Sequence, residues 1–428
     1  MEKVPDRKGL MALSPLAVFL AVYLISSLVA GDFYGIPVSS AFLLSCIYAL
    51  AVTPGSIRSR IGTFSRGAGN PNVLLMIWIF VLAGAFAGTA KDIGAVDATV
   101  AVTLSIVPSK MLYAGIFLTA CFISLSIGTS VGTIVALAPL ASGLALESGV
   151  QVSYMTAIVV GGAFFGDNLS FISDTTIAAT QAAGCEMKDK FKTNLSIVAP
   201  AVLIVTVIYL VQGSSLSVIP PGGGAQWFRI IPYVMIIVLA LTGLDVTVTL
   251  ALGIAANAVI GFCTGSFTWT GWLASMGAGV SGMSDLIIVT LLAGGLLEVI
   301  KAAGGLDWLI QKLTAHIRGP RGAQAGIAAL VGLANVCTAN NTIAIITTGK
   351  IASDIGNRFG VSPRKIASLL DTFSCLVQGF LPYGAQLLMA SSLAGVSALS
   401  IIGYMYYPFI MGACAIISII VRRRKSKC

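Results

Sequence analysis

The sequence predicts an all-α polytopic membrane protein built from two inverted-topology repeats with broken helices or re-entrant hairpins, about 10–14 hydrophobic segments in all. Three observations predict it. The 428 residues are 57% hydrophobic and only 10% charged, against about 25% charged in soluble domains. Apolar runs such as 13–30, 72–90, 195–213 and 399–421 are unbroken. They are long enough, or nearly so, to cross about 30 Å of hydrocarbon as helices, where a β-barrel would alternate in short stretches. The chain also repeats itself at an offset of about 211 residues, with its loop charges reversed.

From the N-terminus, MEKVPDRKGLMALSPLAVFL has a basic head but no A-x-A-like end, so the first apolar run stays as a span. The expected organisation is 1–71 as N-terminal spans, 72–193 as a first transport repeat and 194–284 as connecting spans. A second repeat follows at 285–390, then a final span and basic tail at 391–428. Basic residues orient the loops. Arg58, Arg60 and Arg66 put 54–71 inside, and Lys188, Lys190 and Lys192 do the same for 184–193. Lys350, Arg358, Arg364 and Lys365 place 350–365 inside, as RRRKSK places the tail, whereas 214–227 and 264–284 have no Lys or Arg and read as external. The chain is expected in the inner (plasma) membrane with both termini cytoplasmic. Such anchoring also explains the net charge of +9, so no nucleic acid is expected as a partner. Eight cysteines without a C-x-x-C pair read as small buried hydrophobes.

The repeat is thin in identity but consistent in position. Gly149-Val150 falls opposite Gly360-Val361, and Leu140-Ala141-Ser142 opposite Ile351-Ala352-Ser353. Thr129-Ser130 meets Asn340-Asn341, GDNLSFIS (166–173) meets VQGFLPYG (377–384), and Leu82-Ala83-Gly84 meets Leu292-Ala293-Gly294 with a slip of one. The first copy is entered from a basic loop and the second from a loop without bases, which inverts one copy relative to the other. Each copy carries a helix-unfriendly interruption: Gly128-Thr129-Ser130 with Gly132-Thr133, and Asn340-Asn341-Thr342. Backbone groups freed at membrane depth must face protein or a water-filled cavity. An ordinary span with small residues at a helix contact is the plainer alternative.

The chemistry concentrates in GDNLSFISDTT, 166–176. An intramembrane Asp costs about 2.5–3.5 kcal/mol on insertion scales and usually faces a partner or a cavity. Asp167 and Asp174 are the candidate carboxylate ligands for Na⁺, with Ser170, Ser173, Thr175, Thr176, Thr129, Ser130 and unwound carbonyls as oxygen donors. A carboxylate there can hold a proton or sit beside Na⁺, but not both. The stretch could also be no more than a helix end, with Ser173 or Asp174 as the cap. For an organic solute the candidates are Asn340, Asn341, Thr342, Gln378 and Asp371, with Gln386 further on. Asp371, in SLLDTFS, could instead pair with a nearby base such as Lys365. Glu298 is expected to pair with Lys301, Asp245 to be solvated in a turn, and His316 to lie on the surface.

The pair SIGTSVGTIVALAP (126–139) and GGAFFGDNLSFISDTTIAA (161–179) resembles the NhaC-type sodium/proton antiporter family of the ion transporter superfamily. G-T-S-x-G-T followed by G-D-x-x-S-x-x-S-D-T-T is a specific signature; the second repeat, Asn340 to Pro382, resembles it more loosely. The resemblance implies an inverted-repeat transporter that binds ions at broken helices. It implies ion-site roles for Asp167, Ser170, Ser173, Asp174, Thr175 and Thr176. Antiporter members often carry Lys after the first Asp, where this chain has Asn168, and GDNLSFISDTTIAAT also resembles a branch thought to move amino acids. The expectation is therefore a Na⁺-linked secondary transporter, not an enzyme. It is most simply a Na⁺/H⁺ antiporter, with Na⁺- or H⁺-coupled transport of an amino acid or small organic anion as the alternative. No G-x-x-x-x-G-K-[ST] loop supports an ATP-driven pump. No cofactor is expected beyond Na⁺ as transported or coupling ion. The partners are the lipid bilayer, Na⁺ and H⁺, with a small organic solute and a homodimer as open additions.

Overall fold

The structure, a computed structural model, describes residues 5–30, 37–170, 173–217, 226–242, 244–314 and 317–421. His316 and the basic tail lie outside the described residues. Among those described there is no β-strand. The first half comprises α1 (Asp6–Ala30), α2 (Val38–Val52), α3 (Ile57–Ala68), α4 (Pro71–Asp92), α5 (Ala95–Ile106), α6 (Leu112–Ile127), α7 (Ser130–Ser148), α8 (Val152–Leu169), α9 (Asp174–Ala183) and α10 (Met187–Gly213). The second comprises α11 (Ile231–Leu241), α12 (Val246–Cys263), α13 (Trp269–Gly282), α14 (Ser284–Ala302), α15 (Gly305–Thr314), α16 (Gly319–Thr338), α17 (Asn341–Arg358), α18 (Pro363–Gln378), α19 (Ala385–Ala394), α20 (Ala398–Ile402) and α21 (Tyr406–Val421).

Five described stretches are each long and apolar enough to cross a bilayer, among them Val73–Asp92, Met187–Gly213 and Val246–Cys263. Two bent pairs raise the number to seven: Ala95–Ile106 with Ser109–Leu125, at 109°, and Trp269–Gly282 with Ser284–Ala302, at 43°. Shorter apolar helices, including α2, α19 and α21, complete the set.

The two halves exchange contacts pairwise. α3 packs on α14 while α13 packs on α4; α2 meets α14 as α12 meets α4; α9 meets α17 as α19 meets α7. Glycines make the first exchange close: Gly67 against the Gly294 carbonyl and Gly279 against the Gly84 carbonyl leave no room for a Cβ. The halves are inverted repeats, because α3 carries Arg58, Arg60 and Arg66 where its counterpart α13 carries Trp269 and Trp272.

Three expectations are corrected. Segments 54–71 and 264–284 are not loops but contain α3 and α13. α3 is an amphipathic helix capped by Ser56: Phe64 packs on Gly295 of α14, Arg58 and Arg66 are exposed, and Arg60 turns back to donate to the Leu50 carbonyl at 2.6 Å. Run 399–421 is not one helix. It breaks between Ile402 and Tyr406 and restarts with Pro408 in the first turn of α21, where a missing N–H costs nothing. Lys190 belongs to no loop; it lies in the first turn of α10 and is buried.

Candidate functional site

Each half contributes one broken helix, built alike. α6 ends at Gly128, whose φ of 75° is open to glycine, and Thr129 follows in extended conformation, φ −142° and ψ 124°. The Thr129 hydroxyl accepts the Gly132 N–H at 3.5 Å and caps α7. α16 ends at Ala339, φ 53°, the one described non-glycine residue with positive φ. Asn340 follows at φ −146° and ψ 118°, and its Oδ1 accepts the Ile343 N–H at 2.9 Å to cap α17. Both expected interruptions are therefore real breaks, and the N-termini of α7 and α17 face one cavity of about 460 Å³.

Asp167 is the centre of that cavity's chemistry. Gly162 and Gly166 press α8 onto α6, so Asp167 arrives buried at the start of α7. The Ser130 N–H donates to Asp167 Oδ1 at 3.0 Å and the Ser130 hydroxyl to Oδ2 at 2.6 Å. These donors, with the positive end of the α7 dipole, stabilise a carboxylate in a setting that would otherwise expel it. Asn341 Nδ2 reaches the same Oδ2 from the other half at 3.5 Å. Gln386 Nε2 donates to the Ser130 hydroxyl at 3.0 Å, and Gln378 Nε2 donates to Gln386 Oε1 at 2.8 Å and to the Ala339 carbonyl at 3.0 Å.

Of the residues expected from the sequence, Thr129, Ser130, Asp167, Asp174, Thr175, Asn340, Asn341 and Thr342 line the cavity together. Asp174 stands exposed, at the first position of α9. Ser173 both caps α9, accepting from the Thr176 N–H, and donates to the Asp167 carbonyl at 3.0 Å, where the Thr175 hydroxyl also donates at 3.0 Å. The helix-end and polar-pocket readings of this stretch are thus both true. Ser170, Thr176 and Gln378 are buried behind the lining.

Asp371 is not on the cavity, and its partner is not Lys365, which donates to the Ser418 hydroxyl at 2.8 Å. Lys190 pairs with Asp371 at 2.9 Å, both fully buried. α10 supplies the base because its buried stripe continues backwards from Ile197 and Val198 through Asn194 to Lys190. Extending that apolar stripe by two turns would have found Lys190 and Asn194 in the sequence. Asn168 was also missing from the expected set, although it adjoins Asp167, which was in it; Gln386, expected further on from Gln378, does line the cavity. Elsewhere Glu298 and Lys301 pair at 3.9 Å, and Asp245 caps α12.

The model of the Na⁺/H⁺ antiporter family matches residues 10–214 and 224–422. The chain belongs to that family. It is 23% identical over 395 residues to the Na⁺/H⁺ antiporter NhaC of Bacillus subtilis, covering 82% of this chain and 84% of that one. NhaC of Alkalihalophilus pseudofirmus is 22% identical, covering 78% and 79%. The malate-2H⁺/Na⁺-lactate antiporter of Bacillus subtilis is 22% identical, covering 94% of this chain and 92% of that protein. Among solved structures, the YdaH transporter of Alcanivorax borkumensis aligns with a TM-score of 0.45 at 15% identity, over 89% of this chain and 97% of that one.

Proposed function

We propose that this chain exchanges Na⁺ for H⁺ across the cell membrane by alternating access, with Asp167 as the group the two ions share. The observation that carries the reading is the Asp167 carboxylate, held by donors from both broken helices and facing a cavity between them. Na⁺ takes carboxylate, hydroxyl and freed carbonyl oxygens, which Asp167, Thr129, Ser130 and Thr175 offer there. Na⁺ beside that carboxylate and a proton on it exclude one another, so one site couples two opposed fluxes. Asp174 at the cavity's edge attracts the cation on entry. Both termini are cytoplasmic in this reading, and cysteines placed at Arg58 of α3 and Trp269 of α13 react from opposite faces of the membrane.

The test is flux in proteoliposomes containing the full chain and a pH dye. An imposed Na⁺ gradient should drive protons against their gradient with no organic solute present. Flux that only ever runs downhill would overturn exchange in favour of a channel. A second reading, transport of an amino acid or small organic anion coupled to Na⁺ or H⁺, draws on the size of the cavity and on the amides of Asn340, Asn341 and Gln386 that line it. Solute-dependent Na⁺ entry, absent without the solute, would select it.

A further inference from the structure

Behind the cavity lies a polar cluster that the exchange reading leaves unused. The Lys190 ammonium donates to the Asn168 carbonyl at 2.8 Å and to the Thr176 hydroxyl at 2.5 Å, and pairs with Asp371 Oδ2 at 2.9 Å. We propose that this ammonium is a tethered cation filling a second Na⁺ site, walled by the Asn168 carbonyl, the Thr176 hydroxyl and the Asp371 carboxylate.

Three features support it. The oxygens are a carboxylate, a hydroxyl and a carbonyl in the last turn of α8, where helix carbonyls lack partners along the chain; these are the kinds Na⁺ takes. These three oxygens take all three N–H donors of the ammonium, so the pocket closes round the charge on every side that the stem leaves open. Asp371 Oδ2 already receives Asn194 Nδ2 at 2.8 Å and Asn168 Nδ2 at 3.5 Å. The cluster also shares a wall with the Asp167 site: Ser173 Oγ bridges the Asp167 carbonyl at 3.0 Å and the Thr176 hydroxyl at 2.9 Å.

The other half of the molecule shows that the fold does not need a charge pair at these positions. At the same repeat offset Lys190 corresponds to Ile401 and Asp371 to Val160, both fully buried and apolar. A fixed charge in the second site would leave one exchangeable position, at Asp167. The proposal takes from the exchange reading only that Na⁺ is the cation offered.

Radiolabelled Na⁺ binding at equilibrium, on the purified full chain in detergent, tests it. Lys190→Ala should bind one more Na⁺ per chain than the unaltered protein. Lys190→Arg should gain none, and Lys190→Ala combined with Asp371→Asn should lose the gain. A folded Lys190→Ala chain without the extra ion, or one whose gain survives Asp371→Asn, overturns the proposal. Unfolding in choline chloride but recovery in NaCl supports it, since a ligand stabilises the state that binds it. Failure to recover the variant even in saturating Na⁺ overturns it, because a site Na⁺ can fill would be rescued. Lack of Na⁺ binding by the unaltered chain counts against the exchange reading, while the difference between the two chains still decides this one.

Discussion

The two broken helices share a backbone and differ in chemistry. Gly128 and Ala339 both turn left-handed, and Thr129 and Asn340 both cap from nearly the same extended conformation. At the repeat offset, however, Ser130, Asp167 and Thr175 stand where the second half has Asn341, Gln378 and Gln386. Hydroxyls and a carboxylate face amides across one cavity, joined by Asn341 to Asp167 and Gln386 to Ser130. Breaking a helix at membrane depth is therefore separable from the ion chemistry placed there. Keeping the acid in one half has a physical reason: a second carboxylate mirrored into the same space would repel the first and force one of the two to hold a proton. The amides satisfy freed backbone and side-chain oxygens without adding charge.

The largest test of this asymmetry is Asp167→Asn, which makes the first half resemble the second. It removes a charged ligand worth about 3 kcal/mol, so Na⁺ affinity should fall roughly 100-fold and coupled proton movement should stop. Gln378→Asn, its counterpart, should leave coupling in place. Equal losses from the two would mean that the halves do not differ in ion chemistry. The pH profile of any residual flux in Asp167→Asn should flatten, and an unchanged profile would give the proton to another group.

Asp371→Asn should cost more stability than a change at its counterpart Val160. It leaves the buried Lys190 ammonium short of its carboxylate, a loss of about 3–5 kcal/mol, whereas Val160→Ala removes packing worth roughly 2 kcal/mol. Denaturant unfolding in detergent compares them. Asn341→Ala should weaken Na⁺ by less than about tenfold, the scale of one neutral hydrogen bond. A larger drop in the affinity for an organic acid, measured by calorimetry, would instead favour the second reading. Asp174→Asn should be milder still than Asp167→Asn, because Asp174 is exposed and water screens it.

The smallest effects are at the turns. Gly128→Ala should cost about 1–2 kcal/mol, the left-handed penalty of a side chain. Ala339→Gly should gain less than that, since glycine's freedom in the unfolded chain takes back about 0.4–1 kcal/mol. Opposite signs at the two positions would sharpen the backbone equivalence, and matching signs would break it.

The sequence by itself determined the membrane class, the repeat and its inversion, the two interruptions and the acid of the first. Each is a local quantity: apolar length, loop charge, residues that weaken a helix, or a carboxylate where hydrocarbon should exclude one. It did not determine which charge belongs to which site. Lys190 stands among Lys188 and Lys192 and reads as one more cytoplasmic base, but only the turn of α10 aims it inward while its neighbours stay out. Likewise Asp371 lies six residues from Lys365 in sequence, yet α18 packs on α10, bringing Lys190 to it and leaving Lys365 at Ser418. Loops 54–71 and 264–284 hid helices for the same reason. A charged or aromatic face is a loop signal until a neighbouring helix, here α14 or α4, buries the opposite side. Pairing of buried charges is set by distances across helices, and those exist only once the halves have packed.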